Sequence, residues 1–335
     1  MADLPSVTIV IEWENAIDTQ DEWAQHAVAA LERELALAAP RMRTKPVVTY
    51  LYDQDAVDPA AIRSNIAAAA PRLGEIADVE VVPTAGLSYY LLKNFGVARA
   101  RTDLSVILDS DAAPQPNWLE GMLAPFDDPA IMAVGGITVL GYEDLLSRTM
   151  ALTWIFGLHE ERAKTARRHG IYANNLAVRT GFFRDHPFPD LKAFKKQCVF
   201  WLRSIATQGF GYVRVADAVT VHAPHPGYRF VAWRAWVTGL DRDFQAFHLV
   251  TRSRFGRLAY AGRVLASRLS RSWWRLLSKR RSVGLPVWQV PAAMIIALGF
   301  IGTAFVAQVF SVVSRRHEDL PGVDSSRLAT AAQRA

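Results

Sequence analysis

Short apolar runs rich in β-branched residues alternate with helical segments over residues 6–139, and this alternation constrains the fold more than any other feature. The predicted strands cover residues 6–11, 46–52, 79–82, 104–108 and 131–139, and the predicted helices cover 21–38, 59–70, 88–100 and 118–123. Strands separated by helices form a mostly parallel central sheet with helices on both faces. The sequence therefore predicts an α/β protein whose ligands bind beyond the carboxyl ends of the strands.

The C-terminal region contains a long stretch without charge. Residues 282–314 include no Asp, Glu, Lys or Arg, and the core of this stretch, over 287–313, is almost entirely apolar. A helix over this core is long enough to cross a hydrocarbon layer of about 30 Å. We predict a transmembrane helix over 285–314, followed by a polar, disordered tail over 315–335. A core helix is one alternative to the span, and Pro291, Gly299 and Gly302 leave open a shallow hairpin as another.

Positive charge is concentrated just before this apolar stretch. Residues 249–335 carry 14 Lys and Arg against 3 Asp and Glu, whereas residues 1–248 carry 24 against 29. The larger positive cluster stays on the cytoplasmic side of a membrane. We therefore predict a single-pass protein of the cell membrane whose body, residues 1–248, lies in the cytoplasm.

The segment between body and span has helical periodicity. Over residues 257–276, four leucines recur near one helical angle and four arginines near another: Leu258, Leu265, Leu269 and Leu276 against Arg257, Arg268, Arg271 and Arg275. This pattern predicts a basic amphipathic helix over 249–282, lying on a membrane surface with anionic lipid as its partner. The alternative is an ordinary surface helix with its leucines on the body. No nucleic-acid recognition motif accompanies the charge, so nucleic acid is not a predicted partner.

Several classes of protein are excluded by missing motifs. The single cysteine, Cys198, excludes an intramolecular disulfide framework and a cysteine-rich zinc site. The sequence has no G-x-x-x-x-G-K-[ST] phosphate loop, no G-x-S-x-G and no H-E-x-x-H. P-loop ATPases, α/β-hydrolases and zincin proteases are therefore not expected.

Two carboxylates directly follow the predicted strand over 104–108. Asp109 and Asp111 are separated by Ser110, at the place where a strand gives way to a turn. Carboxylates one residue apart can both face one hard cation, which keeps open positions for phosphate oxygens. Because Asp and Ser are also common turn residues, the spacing by itself leaves a plain turn open.

The surrounding sequence makes the chain recognisable. The segment LSVILDSDAAPQPNWLEGMLAPFDDPAIMAVGG resembles the D-x-D region of glycosyltransferase family 2, a group with the GT-A nucleotide-sugar fold. Further segments resemble the family in the expected order: SVTIVIEWEN, VVTYLYDQD, LLKNFGVARA, YANNLAVRTGFFRDHPFPD and GFGYVRVADAVTVH. The resemblance covers about residues 5–240. It implies a GT-A type sheet and transfer of a sugar from a nucleotide-diphosphate sugar.

The resemblance also implies which residues bind the donor. They are Asn15 after the first strand, Asp53 after the second, Lys93 and Asn94 before the D-x-D strand, and Asp109. A turn role for Asp53 and a solvated helical position for Lys93 are the alternatives.

A metal site is implied at the end of the D-x-D strand. Asp109 and Asp111 would hold Mn²⁺ or Mg²⁺, with His222 as a further ligand at the end of the last matching strand. A structural role is the alternative for His222.

Two departures from the family pattern bear on catalysis. Glu12 stands where a proline usually follows the first strand. In place of the acidic pair that usually supplies the general base, the chain has Gln197 and Cys198, and the nearest acid is Asp190. Since an acceptor hydroxyl must lose its proton as it attacks, we assign Asp190 as the catalytic base. A base elsewhere in the chain, or a loss of catalysis, remains open.

The predicted function is an inverting glycosyltransferase that transfers a sugar to a lipid-linked or cell-envelope polysaccharide acceptor at the cytoplasmic membrane face. The second hypothesis is a catalytically silent relative that acts as a scaffold in polysaccharide assembly. A nucleotidyltransferase is disfavoured because the loop after the first strand, EWENAIDTQDEW, is acidic rather than rich in glycine and basic residues.

Overall fold

The computed structural model describes residues 4–13, 21–167, 170–191, 193 and 195–314. The chain forms two compact units. The first contains the chain up to Val139, then His159–Asp190 and Gly209–Ala223; the second contains Leu140–Leu158, Leu191–Gln208 and the chain from Pro224 onward. Parts of the region 1–248 therefore belong to the second unit. The predicted tail over 315–335 lies outside the described residues.

The first unit is built on an eight-stranded sheet with the strand order β3-β2-β1-β4-β7-β6-β8-β5. Neighbours among β1 to β4 pair in parallel, whereas β7 pairs antiparallel with β4 and with β6, and β5 pairs antiparallel with β8. The strands are β1 (Val7–Glu12), β2 (Val47–Asp53), β3 (Asp78–Thr84), β4 (Leu104–Asp109), β5 (Ala112–Pro114), β6 (Ile131–Leu140), β7 (Asn175–Arg179) and β8 (Gly211–His222).

Helices alternate with the parallel strands as predicted. The helices of the first unit are α1 (Asp21–Ala38), α2 (Pro59–Ala69), α3 (Leu73–Ile76), α4 (Tyr89–Arg99), α5 (Trp118–Leu123), α7 (Arg162–Ala166) and α8 (Thr180–Asp185). Each strand and helix predicted over residues 6–139 is present, with bounds that differ from the prediction by at most two positions. The α/β fold class is thus confirmed, and the antiparallel half of the sheet makes it a mixed one.

Strands β1 and β4 are neighbours in the interior of this sheet. Every residue of these two strands is buried, since the β-branched and leucine side chains pack on both faces. The two strands are in parallel register from Val7 opposite Leu104 to Glu12 opposite Asp109. Both strands therefore end in a carboxylate at the same edge of the sheet.

The second unit is helical. It contains α6 (Leu145–Thr153), α9 (Gln197–Thr207), α10 (Tyr228–Leu249), α11 (Arg254–Ser278) and α12 (Val290–Ser314). The apolar helix α12 packs against α6, α10 and α11. Its buried face is rich in alanine, which lets neighbouring helix backbones approach closely.

Helix α12 also has an exposed apolar face. Over Val287–Ser314 the chain is long and apolar enough to cross a membrane. Ile295 is 72% exposed and Val313 is 66% exposed, and Leu298, Val306 and Phe310 are exposed between them. This segment is therefore a candidate membrane anchor, with one face buried in its own unit and the other largely exposed.

The approach of α12 to α10 depends on a glycine. A Cβ atom at Gly239 would overlap the carbonyl oxygen of Ala304 and lie 2.7 Å from the Cβ of Ala307. We expect Gly239→Ala to lower the free energy of unfolding by about 1–3 kcal/mol, because the helices must separate to accept the methyl group. Thermal unfolding in detergent measures this change.

The matched control for this substitution is Gly262→Ala on α11. A Cβ there meets nothing within 4 Å, so alanine raises helix stability by up to about 1 kcal/mol. Equal responses of the two variants would show that α12 does not pack closely on α10.

Candidate active site

The Asp-Ser-Asp sequence connects β4 to β5. Asp109 ends β4, and Asp111 precedes β5, so the short connection turns both carboxylates toward the same edge of the sheet. Asp109 and Asp111 are each 3% exposed. Buried carboxylates retain their charge only where cations or hydrogen-bond donors compensate for lost hydration.

Antiparallel pairing of β5 with β8 brings His222 to these carboxylates. His222 lies opposite Ala112, and the backbone N–H of Ala223 donates to the carbonyl of Asp111 at 2.8 Å. The His222 Nε2 atom lies 3.4 Å from Asp111 Oδ2. The Nδ1 atom is 2.9 Å from the carbonyl oxygen of Ala223, which can only accept a hydrogen bond. This contact assigns the proton of a neutral imidazole to Nδ1 and leaves the Nε2 lone pair facing Asp111.

Asp109, Asp111 and His222 form a group that could bind a metal ion. One potential ligand atom from each residue lies within 4.8 Å of the others. Two carboxylates and an imidazole suit a divalent metal such as Mn²⁺, and the hydrogen bond from His222 Nδ1 is the kind that orients a ligating histidine.

A lysine and a tyrosine on α4 hold Asp109 in place. Lys93 Nζ lies 2.6 Å from Asp109 Oδ1, and the Tyr89 hydroxyl donates to the two oxygens at 2.8 and 2.9 Å. The two residues are one helical turn apart, and the Lys93 ammonium lies 4.1 Å from the centre of the Tyr89 ring. Burial, together with the charges of Asp109 and Glu12, raises the pKa of Tyr89 well above its ordinary value. The hydroxyl therefore stays protonated and remains a donor to Asp109.

Glu12 completes a buried charge cluster at the end of β1. Its carboxylate lies 3.8 Å from Lys93 Nζ, and neither side chain is exposed. With Glu12, Asp109 and Asp111 ionised and Lys93 protonated, the cluster carries two more negative than positive charges. A divalent cation would neutralise this excess, so the charge of the cluster fits a metal ion as well as its ligand types do.

The other predicted donor-binding residues have structural contacts. Asp53 is half-buried at the end of β2, and its Oδ1 accepts from the backbone N–H of Asp55 at 3.0 Å, as in a turn. Both groups of the Asn94 amide bind the backbone of Phe188, with distances of 2.8 and 3.0 Å. Donor contacts of Asp53 and Asn94 stay predictions. Asn15 lies outside the described residues.

Lys93 differs most from its expected environment. The sequence leaves a solvated position open for it and predicts a contact with the donor, whereas the ammonium is fully buried against Asp109. Lys93 thus contacts Asp109, and a direct contact with the donor stays a prediction.

The predicted catalytic base, Asp190, and Gln197, which stands in place of an expected acid, belong to different units. Asp190 is exposed at the end of its segment in the first unit. In the second unit, Gln197 is buried at the start of α9 and its amide donates to the carbonyls of Leu191 and Ala193. Gln197 therefore supports the local chain and cannot accept a proton. The assignment of Asp190 stays a prediction.

Two residues of the resembling segments stabilise the sheet. Asn175 accepts from the Trp118 indole at 2.8 Å, and its amide nitrogen lies 3.2 Å from Thr220 Oγ1. Trp118 is fully buried. Trp118 therefore packs in the core rather than against a sugar, and Asn175 ties β7 to β8 and α5.

Sequence reasoning missed Tyr89 and the charge role of Glu12. The spacing of Tyr89 and Lys93 on one helix face was a usable signal, because residues four apart are neighbours. The role of Glu12 depends on the register that places it opposite Asp109, which no local pattern predicts.

Part of the chain is similar to a known protein family. Residues 89–185 match the family model described as Glycosyl transferase family 2. This segment includes Tyr89, Lys93, Asp109 and Asp111, and His222 lies beyond it. No curated protein matches the sequence. A solved structure of a mannosyltransferase from Pyrobaculum calidifontis, in complex with GDP-mannose and Mn²⁺, is similar at 16% identity and a TM-score of 0.49, over 99% of this chain and 82% of that chain.

The predicted resemblance is therefore confirmed. The segment that carries the buried carboxylates matches the family model, and it contributes strands to a sheet with a group at its edge that could bind a metal. These findings support the class of glycosyltransferases for the protein.

Proposed function

We propose that the protein is an inverting glycosyltransferase that uses a nucleotide-diphosphate sugar and a divalent metal, Mn²⁺ or Mg²⁺. The observation that carries the proposal is the convergence of Asp109, Asp111 and His222 within 4.8 Å at a sheet edge. Two of these residues lie in the segment that matches the glycosyltransferase family model.

The residues of the site have separate roles in this mechanism. A bound metal would neutralise the charge that develops on the leaving nucleoside diphosphate. Asp111 and His222 Nε2 would hold it, while Lys93 and Tyr89 keep the Asp109 carboxylate in one orientation. The low exposure of the two aspartates strengthens these electrostatic interactions.

A base must remove the proton of the acceptor hydroxyl. Asp190 is the proposed base, because it is the acid nearest in sequence to the position where the acidic pair is replaced by Gln197 and Cys198. Its exposure allows it to approach an acceptor that arrives from solvent.

The acceptor is proposed to be lipid-linked or part of an envelope polysaccharide. The exposed apolar face of α12 and the basic residues of α11 support attachment to the cytoplasmic face of a membrane. Attachment there would keep the enzyme near a membrane-bound acceptor.

The second candidate function is a catalytically silent scaffold in polysaccharide assembly. The buried structural role of Gln197 favours it, because an amide replaces an acid that the reaction needs. This candidate predicts a partner enzyme whose activity depends on the chain.

The deciding experiment combines donor binding with turnover. Full-length protein in detergent is titrated with UDP-, GDP-, CDP- and dTDP-sugars, with and without Mn²⁺ or Mg²⁺. We expect one nucleotide class to bind in a metal-dependent way. Sugar transfer to a panel of lipid-phosphate and saccharide acceptors is then measured with that donor.

The outcomes separate the two candidates. Metal-dependent binding with transfer supports the enzyme. Donor binding without transfer to any acceptor supports the scaffold, provided that Asp190→Asn binds the donor as the original chain does and likewise shows no transfer. No binding of any nucleotide sugar to folded protein rejects the donor site itself.

A further inference from the structure

A second charged site lies within the helical unit. A cavity of about 550 Å³ is lined by residues of α10 and α11 and by Lys196, directly before α9. Five of its lining residues are cationic: Lys196, Arg242, Arg263, Arg268 and Arg271. Among the described residues, no Asp or Glu lines it. Cavities of about 300–1,000 Å³ are of the size that binds small molecules.

The cations on α11 face the cavity because of their spacing. Arg263, Ser267 and Arg271 recur at intervals of four residues, which places them on one face of a helix. Tyr260 and Arg268 extend the same face. The face therefore combines guanidinium groups with hydroxyl donors, the chemistry that recognises phosphate oxygens.

Arg242 is the residue that most needs a counter-ion. It is 8% exposed, and among the described residues no carboxylate forms an ion pair with its guanidinium. Burial, and next the nearby charge of Arg268, lowers the pKa of Arg242 to about 10. Buried cations are normally paired, so this arginine carries an electrostatic cost that an anion would relieve.

Another buried arginine of the same unit forms an ion pair with a carboxylate. Arg257 is also buried, at 3% exposure, and its guanidinium nitrogen lies 2.9 Å from each oxygen of the Asp243 carboxylate. Arg242, on the same helix as Asp243, lines the cavity instead. Arg242 therefore has no such carboxylate partner among the described residues.

Asp241 acts on one cation of this cluster, Lys196. The charge of Asp241 opposes the effect of burial, which lowers the pKa of Lys196, and its carboxylate accepts from the backbone N–H of Lys195. The described lining of the cavity itself contains five cationic side chains and no carboxylate. An anion with several oxygens could accept hydrogen bonds from more than one of these cations.

We propose that this cavity binds a phosphate-bearing group, held by Arg242, Arg268 and Arg271 with Lys196. The group is either the headgroup of an anionic lipid or a soluble phosphate, since both present the same oxygens. This proposal does not depend on whether the protein transfers a sugar.

The first test measures thermal stabilisation of the full-length protein in detergent. Sodium phosphate is compared with sodium chloride at equal ionic strength, for the original chain and for Arg242→Gln, Arg271→Gln and Arg254→Gln. Arg254 is the control, because it is an exposed arginine of α11 that does not line the cavity. We expect phosphate to bind at least about tenfold more weakly to the two cavity variants and equally well to the control.

Arg271→Gln keeps the test informative if Arg242→Gln does not fold, since Arg271 is exposed. An equal response of all variants to phosphate, or equal stabilisation by phosphate and chloride, would overturn the proposal.

The second test distinguishes the sources of the phosphate. Flotation with phosphatidylcholine vesicles, with and without phosphatidylglycerol, is measured for Arg271→Gln and Arg254→Gln. A headgroup site predicts weaker binding of Arg271→Gln to phosphatidylglycerol vesicles and competition by inorganic phosphate. A soluble ligand predicts equal flotation of the two variants, with the loss of phosphate stabilisation confined to Arg271→Gln.

Discussion

Asp111→Asn is expected to abolish metal-dependent binding of the donor and to lower sugar transfer by at least about a thousandfold. The substitution keeps the shape of the side chain and removes a negative charge from a ligand group in which Asp111 Oδ2 lies 3.4 Å from His222 Nε2. A metal supplies several kcal/mol of charge stabilisation in such reactions, and a change of about 1.4 kcal/mol in the barrier alters the rate tenfold. Equilibrium binding of the donor with and without Mn²⁺, followed by turnover, measures the effect.

The control for this prediction is Asp217→Asn. Asp217 has an 80% exposed side chain in the same unit and forms a long contact of 3.9 Å with Arg162. The control variant should bind donor and metal normally. Normal metal-dependent donor binding by Asp111→Asn would instead show that the Asp109, Asp111 and His222 group is not the metal site.

Lys93→Met is expected to lower the free energy of unfolding by about 3–5 kcal/mol, because its loss leaves two buried carboxylates without their cation. The ammonium is fully buried, 2.6 Å from Asp109 and 3.8 Å from Glu12. Methionine is similar in length and apolar, and packing should change little. Urea unfolding followed by circular dichroism in metal-free buffer measures the change.

A double-mutant cycle separates charge from packing at Lys93. Adding Glu12→Gln removes one of the carboxylates, and the double variant should recover part of the lost stability. Lys45→Met is the control, since the Lys45 ion pair with Asp78 is exposed, and its loss should cost at most about 1 kcal/mol. Equal destabilisation by Lys93→Met and Lys45→Met would contradict the proposed role of the buried pair.

Local sequence patterns were sufficient to predict the strands and helices of the parallel half of the sheet. The β-branched runs and the helices between them have strong and different periodicities, so each predicted element appears close to its expected bounds. The short β5 and the strand β7 were not predicted as separate strands, because such short segments carry too little periodicity.

The basic helix over 249–282 appears as α11, but Arg257 is buried against Asp243 rather than exposed to lipid. Its contact with a membrane stays a prediction.

The candidate site was also predicted only in part from the sequence. Asp109 and Asp111 were found from sequence because two carboxylates after a strand are a local signal, and the family resemblance added His222. Their convergence depends on the antiparallel pairing of β8 with β5, which joins segments that are distant in the chain. The burial of Lys93 and its contacts with Asp109 and Glu12 depend on the register of β1 against β4.

The sequence by itself determined the α/β class, the candidate carboxylates and the long apolar helix, because periodicity, turn position and hydropathy are properties of neighbouring residues. The tertiary structure alone decided which charges meet. It pairs Lys93 with Asp109 and places Glu12 beside them. It also pairs Arg257 with Asp243, whereas Arg242 lines a basic cavity. The physical reason is that the interaction of two charges depends on their distance and on the water around them, and both are set by the packing of elements that are distant in the chain.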